Sequence, residues 1–313
     1  MSKQPFRIIQ SVKAHDETIL GMALVRSDTQ HHILVTGSVD KKIKIWTIIN
    51  NQNDEKCSIK RLRTDTTANG PVSFVSGRYD MPYFVVGENQ SFDSLTFYLY
   101  SSTSLDRLKT YKTQTCQWPL SSLITLNEHQ HYILTIGSTS NELCSYDLSL
   151  IDSTDSKLYA SYASTIEYRT SITSEWITSI ENFDNNKVFY LGTTTGNIYS
   201  TTNLFSDIKT WNKNQISSKQ RSITALCSIN NELIFTSGFD NVIRVQYRND
   251  HAKHMNTNDD DEQDEKVDDI LGQYPVPAPI TQMRTWKQNN NGIFGVVAGD
   301  TLGNLYLVQW YSS

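Results

Sequence analysis

One unit recurs six times along this chain. An apolar-x-x-apolar quartet is followed by a second β-like run, a small residue, and a third run rich in β-branched and aromatic residues. The quartets are Ile19/Met22, Val72/Val75, Leu120/Leu123, Ile177/Ile180, Ile223/Leu226 and Ile280/Met283, and the small residues are Gly37, Gly87, Gly137, Gly192, Ser237 and Gly299. Successive small residues stand 50, 50, 55, 45 and 62 positions apart. Each copy reads as three strands with a fourth in the linker. In the first copy, Ile33-Leu34-Val35-Thr36 and Lys42-Ile43-Lys44-Ile45-Trp46 flank the turn Ser38-Val39-Asp40-Lys41.

Helical spacing is nowhere sustained, so the fold class is all-β. A four-stranded unit of this length cannot bury its own faces; it stacks on its neighbours around a channel, which is the β-propeller arrangement. Six units account for residues 1–313 as a single domain, and the 62-residue interval contains an acidic segment, so it need not hide a seventh blade. The strand-like run 305–310 leaves no residues for a fourth strand, whereas 6–12 precedes the first quartet. Pairing these two runs would close the ring and remove an edge that invites aggregation.

The chain carries 28 Lys+Arg and 33 Asp+Glu, a formal net charge of -5. Nine Asp/Glu and two Lys fall within 250–269, so this segment sums to -7 and the remainder to +2. The segment is expected to be a solvated, disordered insertion between blades five and six. The near-neutral body points to protein partners, with no direct nucleic-acid contact. No apolar run approaches the roughly 18 residues of a spanning helix, so membrane insertion is not expected. Residues 1–15 are basic but contain no apolar signal region, and an intracellular location, cytoplasmic or nuclear, is expected. Cys57, Cys116, Cys144 and Cys227 form no Cys-x-x-Cys pair and are expected to be reduced and buried.

The chain has no Gly-x-Ser-x-Gly elbow and no phosphate loop. His31-His32 and His129-x-His131 read as solvated turns, and His251-x-x-His254 beside Asp259, Asp260 and Asp261 lacks the spaced oxygen ligands of a calcium loop. No catalytic residue, cofactor or metal site is expected. Lys41, Lys42 and Lys44, with Lys56, Lys60, Arg61 and Arg63, read as solvated strand faces on blade one. Positions two before each quartet, Glu17, Gly70, Trp118, Glu175, Arg221 and Ala278, should recur around one mouth of the channel, with Trp176 one residue further along. Tryptophan and arginine bury large areas and keep a polar handle, so Trp118, Glu175, Trp176 and Arg221 form the candidate peptide-binding set. The alternative for both tryptophans is packing between neighbouring blades.

Ala14-His15-Asp16, Leu34-Val35-Thr36-Gly37-Ser38-Val39-Asp40 and Ile43-Lys44-Ile45-Trp46 together resemble a WD repeat. The resemblance implies a buried hydrogen-bonded set of His15, Asp40, Thr36 and Trp46, with Ser38 as the other hydroxyl on Thr36's face. Such a set satisfies imidazole and indole N–H groups inside a packed blade and is structural, not catalytic. Copy five keeps Thr236 and Asp240 but has Gln246-Tyr247, copy three has Tyr146-Asp147, and copies two, four and six keep strand rhythm and glycine turns.

Within the WD-repeat family the first copy is similar to the WD-repeat subunits of superkiller complexes, with weaker likeness over 115–120 and 176–199. That likeness implies a non-enzymatic platform in RNA decay, a monomer among other protein subunits. Such subunits usually have seven blades, whereas six are read here. Subunits of vesicle coats and nuclear pores, whose open six-bladed rings are completed by a partner, and WD-repeat esterases are the alternatives. The Trp-Asp-x-Arg signature of ubiquitin-ligase adaptors is missing after Trp46 and Tyr146.

Overall fold

Period-two runs bounded by glycine and polar turns become antiparallel strands. The computed structural model describes residues 6–27, 31–51, 56–66, 70–91, 94–113, 118–127, 129–139, 143–148, 175–183, 188–202, 204, 212–215, 222–229, 233–247, 270–287 and 293–311, and the structural statements below concern these.

After β1 (Phe6–Lys13), blade one comprises β2 (Ile19–Ser27), β3 (His31–Ser38), β4 (Lys42–Asn51) and β5 (Lys56–Thr66). Blade two holds β6 (Val72–Gly77), β7 (Tyr83–Ser91), β8 (Ser94–Ser101) and β9 (Arg107–Thr113). Three strands of blade three are described, β10 (Pro119–Leu126), β11 (Tyr132–Ser138) and β12 (Leu143–Asp147). Blade four holds β13 (Ile177–Phe183), β14 (Val188–Thr193), β15 (Asn197–Thr201) and β16 (Asn212–Gln215). Blade five holds β17 (Ala225–Ile229), β18 (Leu233–Ser237), β19 (Val242–Tyr247) and β20 (Ile270–Pro275). Blade six is β21 (Ile280–Lys287), β22 (Ile293–Asp300), β23 (Asn304–Tyr311) and, outermost, β1.

The first strand of each blade lies innermost, and these six strands touch in a closed cycle, β2–β6–β10–β13–β17–β21 and back to β2. The chain therefore folds as a six-bladed propeller. The expected closure is present: β1 runs antiparallel to β23, from Phe6 opposite Trp310 to Lys13 opposite Asn304. Because β20 pairs with β19, the acidic stretch 250–269 is inserted within blade five, ahead of its fourth strand, and not between blades five and six. The stretch itself, with His251 and His254, lies outside the described residues, as does Cys116. Cys57, Cys144 and Cys227 are buried and in no disulfide.

Each of six apolar clusters belongs to one seam between neighbouring blades. Ala23, Ile43, Val72 and Phe84 pack between blades one and two, and Trp46, Ile48, Trp286 and Leu305 between six and one. Phe97, Ile124 and Tyr146 fill the seam between two and three, and Leu143, Ile177 and Leu191 that between three and four. Tyr190, Ile223 and Ile234 pack between four and five, while Phe6 joins Phe235, Met283 and Trp310 between five and six. A blade is buried on both faces by its neighbours, so its inner strands lose the polar-outside alternation of a half-exposed sheet.

Polar groups stitch the same seams near the axis. Ser121 donates to the Ile177 carbonyl (3.2 Å), Thr178 to Ile223, Thr224 to Ile280 and Thr281 to Ile19, so a hydroxyl spans four of the six seams. At the seam between blades one and two, Leu20 takes the place of these threonines, and that of Ser121 is taken by Gly21. A Cβ there would lie 2.4 Å from the Val75 nitrogen, so the absent side chain lets the two backbones meet. A second polar cluster seals blade six to blade one: Asn50 bonds His32 (2.9 Å), Cys57 (3.0 Å) and the Trp286 indole (3.3 Å). His32, expected in a solvated turn, is instead buried in β3, because strand pairing extends to it opposite Ile48. His31 beside it is exposed.

Four of the five described outer strands, β1, β5, β9 and β20, share one irregularity. The register shifts opposite Ile45/Trp46, Leu99/Tyr100, Val245/Gln246 and between Ile8 and Gln10, leaving Leu62, Leu108, Leu271 and Ile9 as the extra residue of a bulge. Bulges twist an exposed edge and discourage pairing with another chain.

Candidate partner-binding site

The set implied for blade one is assembled. The His15 imidazole meets the Asp40 carboxylate at 3.0 Å through Nδ1 and Thr36 Oγ1 at 2.8 Å through Nε2, and the Trp46 indole donates to the same hydroxyl at 2.9 Å. Thr36, not Ser38, is the hydroxyl of the set; Ser38 instead donates to the Glu17 carbonyl and accepts from Asp40 N–H. Burial lowers the His15 pKa to about 4, against the pull of Asp40, so the ring is neutral at pH 7. Neutral His15 donates from Nδ1 and accepts from the threonine, a relay in which every buried polar atom has one role. Gly303 of blade six, whose φ of 80° suits glycine, anchors the approach to His15, its carbonyl accepting from the Ala14 and His15 N–H groups.

Blades lacking this set use another device that sequence reading missed. Lys44, Tyr98, Cys144, Tyr199, Arg244 and Tyr306 occupy one register position, each opposite the residue preceding the small marker. In blades two, four and six this residue is tyrosine, and its hydroxyl meets an acid: Tyr98 donates to Glu88, Tyr306 to Asp300 (2.8 Å), and Tyr199 bonds Glu175. Burial, then the carboxylate, raises the Tyr199 pKa to about 12. In blade five Asp240 pairs with Arg244 at 2.6 Å, and in blade three Asp147 pairs with His131 at 3.1 Å. Aligning the residue after each small marker would have revealed the acids Glu88 and Asp300.

Trp118, Glu175 and Trp176 stand immediately before the inner strands of blades three and four, at one end of the ring. The Trp118 carbonyl accepts from Thr139 N–H and the Trp176 carbonyl from Thr194 N–H, as Thr18 and Pro279 do in blades one and six. This recurrent bond makes Trp118 the equivalent of Trp176, one position later than the quartet alignment put it. The cause is Pro119, which takes the place of Ile19 and Ile177 at the strand start and shifts the apparent quartet by one. Glu175 accepts from Asn197 at 2.8 Å, which fixes it against the β14–β15 turn. Arg221 lies outside the described residues.

Trp176 is 47% exposed, so it is not a wedge between blades. At the same end, in the turns between the second and third strands, Phe239 of blade five is 62% exposed and Leu302 of blade six 55%. Three consecutive blades thus each offer a large apolar side chain to solvent. An apolar residue in a turn otherwise made of small and polar residues is the signal that would have found Phe239 and Leu302.

Lys44 is buried and donates to the Ala14 carbonyl, and Lys42 pairs with Asp16 at 2.7 Å. The expected solvated face therefore does not include Lys44. Deeper along the inner strands, Glu181 and Arg284 share one register level with Cys227 between them. Burial raises the Glu181 carboxyl to about 7 while Arg284 opposes the rise. Burial, then the charge of Glu181, raises the Cys227 thiol. No group of three or more His, Cys, Asp or Glu among the described residues could hold a metal ion.

Residues 6–47 match the family described as WD domain, G-beta repeat. No curated protein matches the chain. The matched stretch spans β1 to β4 and contains the whole His15–Asp40–Thr36–Trp46 set. The chain is a six-bladed β-propeller whose first blade matches the WD repeat and carries the full hydrogen-bonded set.

Proposed function

We propose that this propeller is a non-enzymatic scaffold that holds a peptide segment of a larger subunit across the end bearing Trp118, Glu175 and Trp176, the set to which the sequence adds Arg221. The observation that carries the reading is the solvent exposure of Trp176, Phe239 and Leu302 on three consecutive blades at that end. Exposed aromatic residues on rigid turns bury large area on binding and lose little side-chain entropy. The buried polar set of blade one is satisfied internally, which supports a structural role for it over a catalytic one.

The setting we favour is a cytoplasmic or nuclear complex of several subunits, with superkiller-type RNA decay the most specific version through the likeness of blade one. The closed ring weighs against the coat and nuclear-pore alternative, in which a partner supplies the missing strands. The tagged full chain and its Trp176→Ala/Phe239→Ala and Trp118→Ala/Arg221→Glu variants, purified from cells and compared by quantitative mass spectrometry, test both levels. Loss of a common set of subunits from the folded variants supports the site, and an unchanged set overturns it. Helicase and tetratricopeptide subunits in that set support the RNA-decay setting, whereas coat subunits replace it.

A further inference from the structure

Nine of the chain's 28 Lys and Arg lie on β1, β5 and β9, which together hold a single acid, Asp65. These three strands carry +8 in a protein of net charge -5. They are far apart in sequence, but each is the outermost strand of its blade, and ring closure makes blades six, one and two neighbours. The strands are joined directly: Gln10 of β1 accepts from Ile59 N–H of β5 at 2.8 Å, and Arg63 of β5 bonds Asp106 ahead of β9 at 3.0 Å. Arg63 also bonds Asp65, so it engages the acids at both ends of this seam. Arg7, Lys60, Arg61, Arg107 and Lys109 are exposed along the resulting belt.

Edge protection does not account for this charge. The outer strand of blade five, β20, has the same bulge and reads Ile-Leu-Gly-Gln-Tyr-Pro, with no charged residue. Leu62 and Leu108, each on the bulge and flanked by cations, are therefore features of the fold, and the charge is superimposed on blades six, one and two. The composition also discriminates between partners. Protein interfaces are depleted in lysine and enriched in aromatic residues, whereas nucleic-acid interfaces are polar and strongly positive. Both aromatic residues of the three strands, Phe6 and Tyr111, are buried, so there is no stacking platform for bases.

We propose that the outer edges of blades six, one and two form a belt that binds the phosphate backbone of nucleic acid without reading sequence. Arginine forks and lysine point charges on successive strands match a repeating anion and make no demand on the bases. The belt is separate from the apolar end of the ring and replaces the expectation, based on summed charge, of no direct nucleic-acid contact.

Anisotropy of a labelled single-stranded RNA of about 20 nucleotides and of a duplex DNA of about 20 base pairs, titrated with the full chain at two salt concentrations, tests this. Four phosphate contacts give a slope of about -3 to -4 in log K against log salt. Lys60→Glu/Arg61→Glu should weaken binding at least about tenfold, and Arg26→Glu, a charge reversal on an inner strand away from the belt, should have little effect. Lys60→Gln/Arg61→Gln, also expected to weaken binding, keeps the test open if the reversal impairs folding. Absence of binding by wild type to either probe, or equal weakening by belt and control variants, overturns the proposal. Tight binding of labelled polyglutamate with no binding of either nucleic acid would also overturn it, in favour of an acidic protein partner.

Discussion

Thr281 of blade six donates its hydroxyl to the carbonyl of Ile19 in blade one. The ring is therefore closed twice, at its outer edge by β1 on β23 and near its axis by this bond. Thr178 and Thr224 make the equivalent bond at seams where the chain is continuous, which provides an internal comparison. Thr178→Val, Thr224→Val and Thr281→Val should each cost about 1 kcal/mol in urea unfolding, with similar values at all three seams. A much larger loss for Thr281 alone would mean that axial closure is the weak point of the ring.

Removal of residues 1–12 should destabilise the entire domain, because it strips the outer strand from blade six and removes Phe6 from its contacts with Phe235 (6.0 Å) and Trp310 (4.7 Å). Phe6→Ala alone should cost about 3–5 kcal/mol. Thermal unfolding of the truncated chain at the wild-type midpoint would contradict the closure.

Thr36→Val should leave both His15 Nε2 and the Trp46 indole without partners in a packed blade. An expected loss of about 3 kcal/mol follows from two orphaned buried groups. Thr36→Ser, which restores the hydroxyl, should recover most of it by the same urea measurement.

Acidification should expose the buried histidine. His15 has a folded pKa of about 4 against an unfolded value near 6.5, so between these limits the unfolded chain binds the extra proton. The contribution of neutral His15 is complete above the unfolded value and declines as pH falls from about 6.5 to 4, by on the order of 2–3 kcal/mol. His15→Gln should be less stable at pH 7.5 but should lose this part of the pH dependence.

Glu181 carries the opposite sign. Its folded pKa, raised to about 7, exceeds the unfolded value of 4.5, so the folded chain holds the extra proton between them. Stability from this group is highest at low pH and falls as pH rises through that window. Part of the side chain remains open to water, which tempers the penalty. Glu181→Gln should raise the melting temperature at pH 8 and leave it nearly unchanged at pH 4.5.

The number of blades was legible because the backbone pattern of each copy survives sequence divergence: Ile19, Val72, Ile177 and Ile280 each begin an inner strand, and Ile223 stands two residues before one. Blade three was read one residue out of phase because Pro119 breaks that pattern while occupying the same place. The set on Trp46 was legible because its residues keep a family spacing. The acid–tyrosine pairs were not, since Glu175 reaches Tyr199 across a turn and the partners follow no shared spacing. Phe239 and Leu302 escaped because turns were searched for glycine and not for what they display. The clustering of cations was invisible in a summed charge, which cannot say that β1, β5 and β9 lie on adjacent blades.

The closing pair also sets an order of events. Phe6 and Trp310 lie about 300 residues apart, so on a ribosome adding roughly 5–20 residues per second β1 is made on the order of 15–60 s before its partner strand exists. Throughout that interval β1 must stay available and unpaired, and blades one to five can stack only as an arc with an open end. Ring closure is then the final folding step, and an arrested nascent chain displays both an orphan strand and an uncovered blade face, the features by which chaperones recognise unfinished proteins.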